Sequence, residues 1–195
     1  ILSALIGYLL GSINSSILVG KLYGGTDIRK HGSGNAGMTN TLRVLGKGAA
    51  VLVLVGDVLK GVIAVLIGKY ICGGILIGAL VAGFSCIVGH NWPVFFSFKG
   101  GKGVLTSAAV IITINWKVGL IVLVIAILIM AITRYVSLGS IVGSILLPVV
   151  SAIIDRDLLY FSLLVGAMVI FKHYSNIQRL IQGTESKLSR KKKVE

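Results

Sequence analysis

Side chains able to do chemistry are sparse in this 195-residue chain, and they fall in a few polar stretches. The first stretch reads DIRKHGSGNAGMTNTLRVLG, residues 27 to 46. Gly32, Gly34 and Gly37 permit turns that aim successive backbone amides at one point. Ser33 and Asn35 add side-chain donors, and Thr39 and Arg43, four apart, share a face if 38–45 is a short helix. The set suits an anion. The second stretch reads GHNWPVFFSFKGGKGVLTS, residues 89 to 107. Gly100, Gly101 and Gly103 let backbone approach a ligand, and Lys102 places a positive charge where a helix N-terminus favours anions. This is not a nucleotide P-loop, because Phe96 stands where the first glycine is needed and Gly103 where a Ser or Thr must follow the lysine. The third reads HYSNIQRLIQGTESK, with His173 and Asn176 three apart, then Arg179, Gly183 in a turn, and Glu185. Between them lies TRYVSLGSI, where Arg134 is a ligand or an orientation marker, and Ser137 and Ser140 share a helix face for binding or for packing.

The elements that must position these residues are membrane helices. Hydrophobic residues make up 55% of the chain and charged residues 13%, and apolar runs near membrane-span length recur. Spans are expected at 1–20, 48–68, 71–89, 104–115, 118–132, 137–154 and 158–172, the fourth and fifth being short. The fold class is an all-α integral membrane protein, a seven-transmembrane-helix bundle forming a single domain over 1–195 with a basic tail from about 186. The first span carries no basic leader region and reads as a retained helix, not a cleaved signal. The break between spans four and five is set at Asn115, Trp116 and Lys117, an interfacial turn with an aromatic anchor.

Net charge is +13, which here reports membrane orientation and not nucleic acid binding. With seven spans and the N-terminus outside, 15 Lys and Arg fall on one side and three (Lys69, Lys117, Arg156) on the other, with Lys60 inside a span. The loops 21–47, 90–103 and 133–136 and the tail 173–195 are therefore assigned to the cytoplasm. Lys191 to Lys193 are expected to meet anionic headgroups or to stay unstructured. Asp57 and Lys60, three apart within the second span, are either a functional pair or a structural ion pair. His90 and Trp92 are open between a site role and an interfacial one. Cys72 and Cys86 lie 14 apart on one expected helix, about 20 Å, too far for a disulfide, so both are read as buried thiols. No metal site is expected.

The stretches GSGNAGMTNTLRVLG, GHNWPVFFSFKGGKGV and HYSNIQRLIQGTESK resemble, in order and spacing, the three motifs of the bacterial membrane glycerol-3-phosphate acyltransferases that use acyl phosphate. GSINSS, GDVLKG and RYVSLGS extend the similarity over nearly the whole chain. Met38 departs from it, standing where a smaller residue is expected. The resemblance implies transfer of an acyl group from acyl phosphate to the 1-hydroxyl of glycerol 3-phosphate, giving lysophosphatidic acid and phosphate. It implies no metal, coenzyme A or other cofactor, a bacterial inner-membrane location, and a peripheral acyl-phosphate synthase as supplier. Motif by motif, it points to Ser33 and Arg43, to Gly100, Gly101 and Lys102, and to His173, Asn176, Gly183 and Glu185. The combined catalytic set is Ser33, Arg43, Lys102, His173 and Asn176. The combined substrate set is Gly34, Asn35, Thr39, Gly100, Gly101, Gly103, Arg134, Ser137, Ser140, Gly183 and Glu185.

The chemistry fits these residue types. Acyltransferases acting on thioesters commonly carry an Asp five residues after a His, yet Ala36, Phe95 and Gln178 follow the three histidines at that spacing. A phosphate leaving group is already a stable anion and needs no acid. The difficulty is repulsion between two phosphorylated substrates, which cations and fixed amides offset if they gather in one inner-leaflet pocket. The proton acceptor is left open between His173 and a substrate phosphate, with Asn176 and Ser140 positioning. A transporter for an anionic solute is the rival class, supported by Asp57 and Lys60 but weakened by the absence of an inverted repeat and by polar stretches on one face.

Overall fold

The computed structural model describes residues 1–188 and is helical, with helices α1 Leu2–Ser12, α2 Ser15–Gly24, α3 Met38–Ile71, α4 Leu76–Asn91, α5 Val104–Ile114, α6 Trp116–Thr133, α7 Val136–Ile154, α8 Leu159–Lys172 and α9 Tyr174–Ile181. Lys191 to Lys193 lie outside the described residues. The chain forms two compact units, Ile1–Gly119 and the part from Leu120 on.

Each of the seven expected segments is helical, but the span count differs. Among the described residues five helical stretches are long and apolar enough to cross a membrane, and a sixth counts if Arg156–Lys172 and Tyr174–Ile181, bent by 60°, form one span. The helix at 104–114 is the exception: 11 residues rise only about 16 Å against a hydrocarbon layer of about 30 Å. The expected turn beside it is present. Asn115 is extended, and its Oδ1 accepts from the Lys117 and Val118 amides, capping α6.

In the first unit, α1 lies so close to α4 that a Cβ on Gly7 would strike the Ala82 backbone, one on Gly11 the Cys86 backbone, and one on Gly89 the Tyr8 carbonyl. Small residues at such contacts are how helices pack where lipid removes the usual hydrophobic drive. The α3–α4 contact repeats the device, with Gly68 and Gly78 back to back. Cys72 ends α3 while Cys86 lies on α4, so they do not share a helix as expected. Gly73 and Gly74, both left-handed, interrupt the apolar run between them, and both thiols are free.

Within α3 the backbone breaks at Gly46 (φ 84°), which separates 38–45 from the long apolar segment. The short helix expected to carry Thr39 and Arg43 therefore exists. In the second unit α7 and α8 pack together, with Ser151 and Ser162 joined at 2.6 Å in the buried seam. The outer face of α6 is apolar and exposed at Val124, Ile127, Leu128 and Ile132, as lipid-facing helices require.

Candidate functional site

The first unit holds the two glycine-rich loops. In the loop before α3, Asn40 acts as the organiser. Its Oδ1 accepts from the Ser33 amide at 2.8 Å, and its Nδ2 donates to the carbonyls of Ile28 (3.1 Å) and His31 (2.9 Å). The Gly34 amide donates to His31 O and that of Gly37 to Asn35 O. The expectation that these glycines aim successive amides at an anion is thus corrected: the amides of Ser33, Gly34 and Gly37 are spent shaping the loop. Ser33 and Arg43 are both exposed, while Asn35 and Thr39 are half-buried, so the polar side chains are what this loop presents.

The second loop is moulded onto the end of α4. The Gly101 amide donates to His90 O at 3.1 Å and the Gly100 amide to Asn91 O at 3.3 Å. A Cβ on Gly100 would overlap the His90 carbonyl. One on Gly101 would overlap both the His90 ring at Nε2 and the Ala36 carbonyl of the first loop. The two loops therefore meet at Gly101, and close approach explains Gly100 and Gly101 better than amide presentation does. Gly103 (φ 73°) is the N-cap of α5 and supplies no side-chain cap. The first-turn amides of α5 thus follow Lys102 directly along the chain, a sequence arrangement suited to an anion.

Arg29, which sequence reasoning noted only as an orientation charge, latches the loops together. Its Nη1 donates to Phe96 O at 2.9 Å and Lys99 O at 3.0 Å, and Asp27 grips its other side at 2.7 Å. The latch secures a strained turn, because Ser97 (φ 55°) and Phe98 (φ 57°) are both left-handed without being glycine. Tyr8 Oη donates to Trp92 O and the Val94 amide to Ser12 Oγ, tying the same turn to α1. Hydrogen bonds from Arg29 hold the Asp27 carboxyl down to about 2, against the opposing pull of burial. A depressed carboxylate stabilises the fold fully above its unfolded value of 3.8 and loses that contribution as pH falls toward about 2. The difference in thermal midpoint between wild type and Asp27→Asn is therefore expected to be constant above about pH 4 and to shrink as the pH drops further.

The second unit holds the remaining expected residues. Glu185 is a hub: Oε1 accepts from Ser137 Oγ and Asn176 Nδ2, each at 2.7 Å, and Oε2 accepts from Arg179 Nε at 2.7 Å. Burial pushes its carboxyl up, but the three donors outweigh that and hold it below the ordinary value. Ser137 and Glu185, both expected to line the substrate site, are engaged by each other, and the carboxylate secures the turn at Gly183 (φ 69°). Glu185→Ala is expected to cost about 1.5–3 kcal/mol, the value of hydrogen bonds to a charged group, read as a lowered unfolding midpoint in detergent. Ser140 Oγ donates back to Val136 O, and Arg134 (φ 64°) exchanges hydrogen bonds with the Leu188 backbone, so the structure gives Arg134 a tail-anchoring role.

His173 is buried, and its Nδ1 lies 2.8 Å from Val169 O. A carbonyl only accepts, so Nδ1 carries a proton, and in the neutral ring Nε2 is then the acceptor. This is the tautomer a base at Nε2 requires. Among the described residues no group of three or more His, Cys, Asp or Glu could hold a metal ion.

The family model described as glycerol-3-phosphate acyltransferase matches residues 1–183. A glycerol-3-phosphate acyltransferase of Thermoanaerobacter sp. (strain X514) is 50% identical over 196 residues, covering 100% of this chain and 98% of its own. One of Clostridioides difficile (strain 630) is 45% identical, covering 98% and 97%. Among solved structures, the chain is similar to the glycerol 3-phosphate form of PlsY (YgiH), an integral membrane glycerol 3-phosphate acyltransferase, with TM-score 0.90, 37% identity and coverage of 96% and 94%. The lysophosphatidic acid form of the same enzyme matches with TM-score 0.86 and 35% identity.

Proposed function

The chain belongs to the glycerol-3-phosphate acyltransferase family, and from that premise we propose that it moves a fatty acyl group from acyl phosphate to the 1-hydroxyl of glycerol 3-phosphate. The products are lysophosphatidic acid and inorganic phosphate, and the step belongs to phospholipid biosynthesis. The observation that carries the reading is the meeting of the two loops at Gly101, Ala36 and His90. It gathers Lys102 and the α5 N-terminus beside the loop that leads into Ser33 and Arg43.

The division of labour follows from charge. Lys102 and the first-turn amides of α5 take a phosphate, and Arg43 and Ser33 take phosphate oxygens from the other loop. Thr39 and Asn35 line the same loop. His173 Nε2 accepts the hydroxyl proton as oxygen attacks the acyl carbon, and Asn176, held by Glu185, positions the reacting group. The C–O bond to phosphate breaks, and phosphate departs as an anion without needing an acid. We place the protein in the bacterial inner membrane with the two loops on the cytoplasmic side, on the positive charge they carry, Lys21, Arg29, Lys30, Arg43 and Lys47 in the first and Lys99 and Lys102 in the second. A peripheral acyl-phosphate synthase supplies the donor there.

Acyl phosphate labelled with ¹⁸O in the bridge between carbon and phosphorus tests the bond that breaks. Acyl transfer delivers the label to inorganic phosphate and leaves the glycerol ester unlabelled. Label recovered in free fatty acid, with phosphate moved to glycerol 3-phosphate, refutes the reading.

A further inference from the structure

One buried ionisable cluster has no part in the chemistry above, yet it stands directly under the seam of the two loops. Asp57 and Lys60 on α3 and His90 on α4 are 1%, 6% and 3% exposed. Lys60 Nζ lies 2.8 Å from Asp57 Oδ1 and 2.8 Å from His90 Nδ1, and it donates to the Ile13 and Gly11 carbonyls at 3.2 and 3.4 Å. His90 Nδ1 lies 3.6 Å from Asp57 Oδ1. Ionisable groups inside a membrane bundle are expensive, so their placement calls for a physical role.

The donors and acceptors define that role. Lys60 Nζ faces two backbone carbonyls and a carboxylate, which only accept, so it stands there as the donor. An ammonium has donors and no acceptor. Asp57 Oδ1 is an ion-pair contact and takes no hydrogen bond, so the three ammonium protons serve the Gly11 and Ile13 carbonyls and His90 Nδ1. That nitrogen therefore accepts, which puts the ring proton on Nε2 and keeps the ring neutral. Carboxylate, ammonium and neutral ring sum to zero charge, the state a low-dielectric interior favours. The other edge of the ring faces the functional loops, because a Cβ on Gly101 would collide at once with His90 Nε2 and with the Ala36 carbonyl.

We infer that the Asp57–Lys60 pair is a positioning device that fixes His90 as its Nε2–H tautomer and so holds a donor at the seam where the Ala36 and Gly101 backbones meet. Asp57, Lys60 and His90 are positioning residues: they set how far the Ser33–Asn35 segment stands from Lys102. The consequence for substrate rests on the reading that these loops bind the phosphate of glycerol 3-phosphate.

The test has a spectroscopic arm and a kinetic arm. Two-bond ¹H–¹⁵N correlation spectra of ¹⁵N-histidine-labelled protein in micelles, assigned by loss of the signal in His90→Gln, should show Nε2 protonated and Nδ1 bare. A protonated Nδ1, alone or as imidazolium, overturns the inference. In kinetics, glutamine places its amide nitrogen where Nε2 stood, and asparagine places it near Nδ1. His90→Gln is expected to keep KM for glycerol 3-phosphate within about threefold of wild type, whereas His90→Asn raises it tenfold or more with a smaller change in kcat. Equal effects of the two variants on KM overturn the inference. The double variant Asp57→Leu/Lys60→Met replaces the pair without leaving a lone buried charge. Folded protein of that kind is expected to show a raised KM, and a wild-type KM would reduce the pair to a structural ion pair and sink the proposal. Should the double variant not fold, the spectrum of wild type and the Gln/Asn contrast still decide. Failure of wild-type protein to saturate with glycerol 3-phosphate would instead strike the phosphate-binding reading and leave the tautomer result standing.

Discussion

Arg43→Ala and Lys102→Ala are each expected to lower kcat/KM by about 10² or more, the usual effect of removing one preorganised donor from a developing charge. The cause is electrostatic. Acyl phosphate and glycerol 3-phosphate both carry phosphate, and bringing them together in a partly desolvated place is opposed by their repulsion. Arg43 stands exposed on the short helix before Gly46, and Lys102 is half-buried between Gly101 and the α5 N-cap. Unfolding midpoints of both variants should stay near wild type while turnover collapses. Arg43→Lys is a sharper probe, since it keeps the charge and discards the planar fork, and it should recover only part of the loss. Near-normal turnover in either alanine variant would remove that residue from the site.

The second large effect concerns His173. Loss of a positioned base costs about 10²–10⁴ in rate, so His173→Ala should lose at least 10² in kcat with little change in KM for glycerol 3-phosphate. The pH–rate profile discriminates between acceptors. If the ring takes the proton, the alanine variant loses the limb of the profile that belongs to histidine. If a phosphate oxygen of substrate does so, His173→Ala keeps both the limb and nearly all of the rate. His173→Gln serves as a control for packing, since the site is buried against the Val169 carbonyl.

Much of this was legible from local patterning. Period and length give the helices, and the dense Gly, Ser and Lys stretches mark the loops because little else in the chain is polar. The Gly46 break and the Asn115 cap were also readable, since a glycine before an apolar run and an Asn-Trp-Lys triplet are local signals. The span count was not, because an apolar composition does not say whether an 11-residue helix such as α5 reaches across a bilayer.

What stayed hidden depends on contacts between distant residues. Arg29 reads as one more cytoplasmic charge until its bonds to Phe96 and Lys99, 67 and 70 residues away, are seen. Asn40 looks like an ordinary helix residue, though its position near the start of α3 offered a faint hint of a loop-organising side chain. Glu185 ends the set of polar residues in the third motif, and that Ser137 joins it from 48 residues upstream could not be read from the motif. His90 could not be placed without Lys60, which lies 30 residues before it on another helix.

The account turns on the donor. Purified protein should be given glycerol 3-phosphate with acyl phosphate, acyl-coenzyme A or acyl carrier protein thioester in parallel, with lysophosphatidic acid measured in each. Acyl phosphate alone should support turnover, with one inorganic phosphate released per product. Turnover with either thioester at a comparable rate, or none with acyl phosphate, would contradict it.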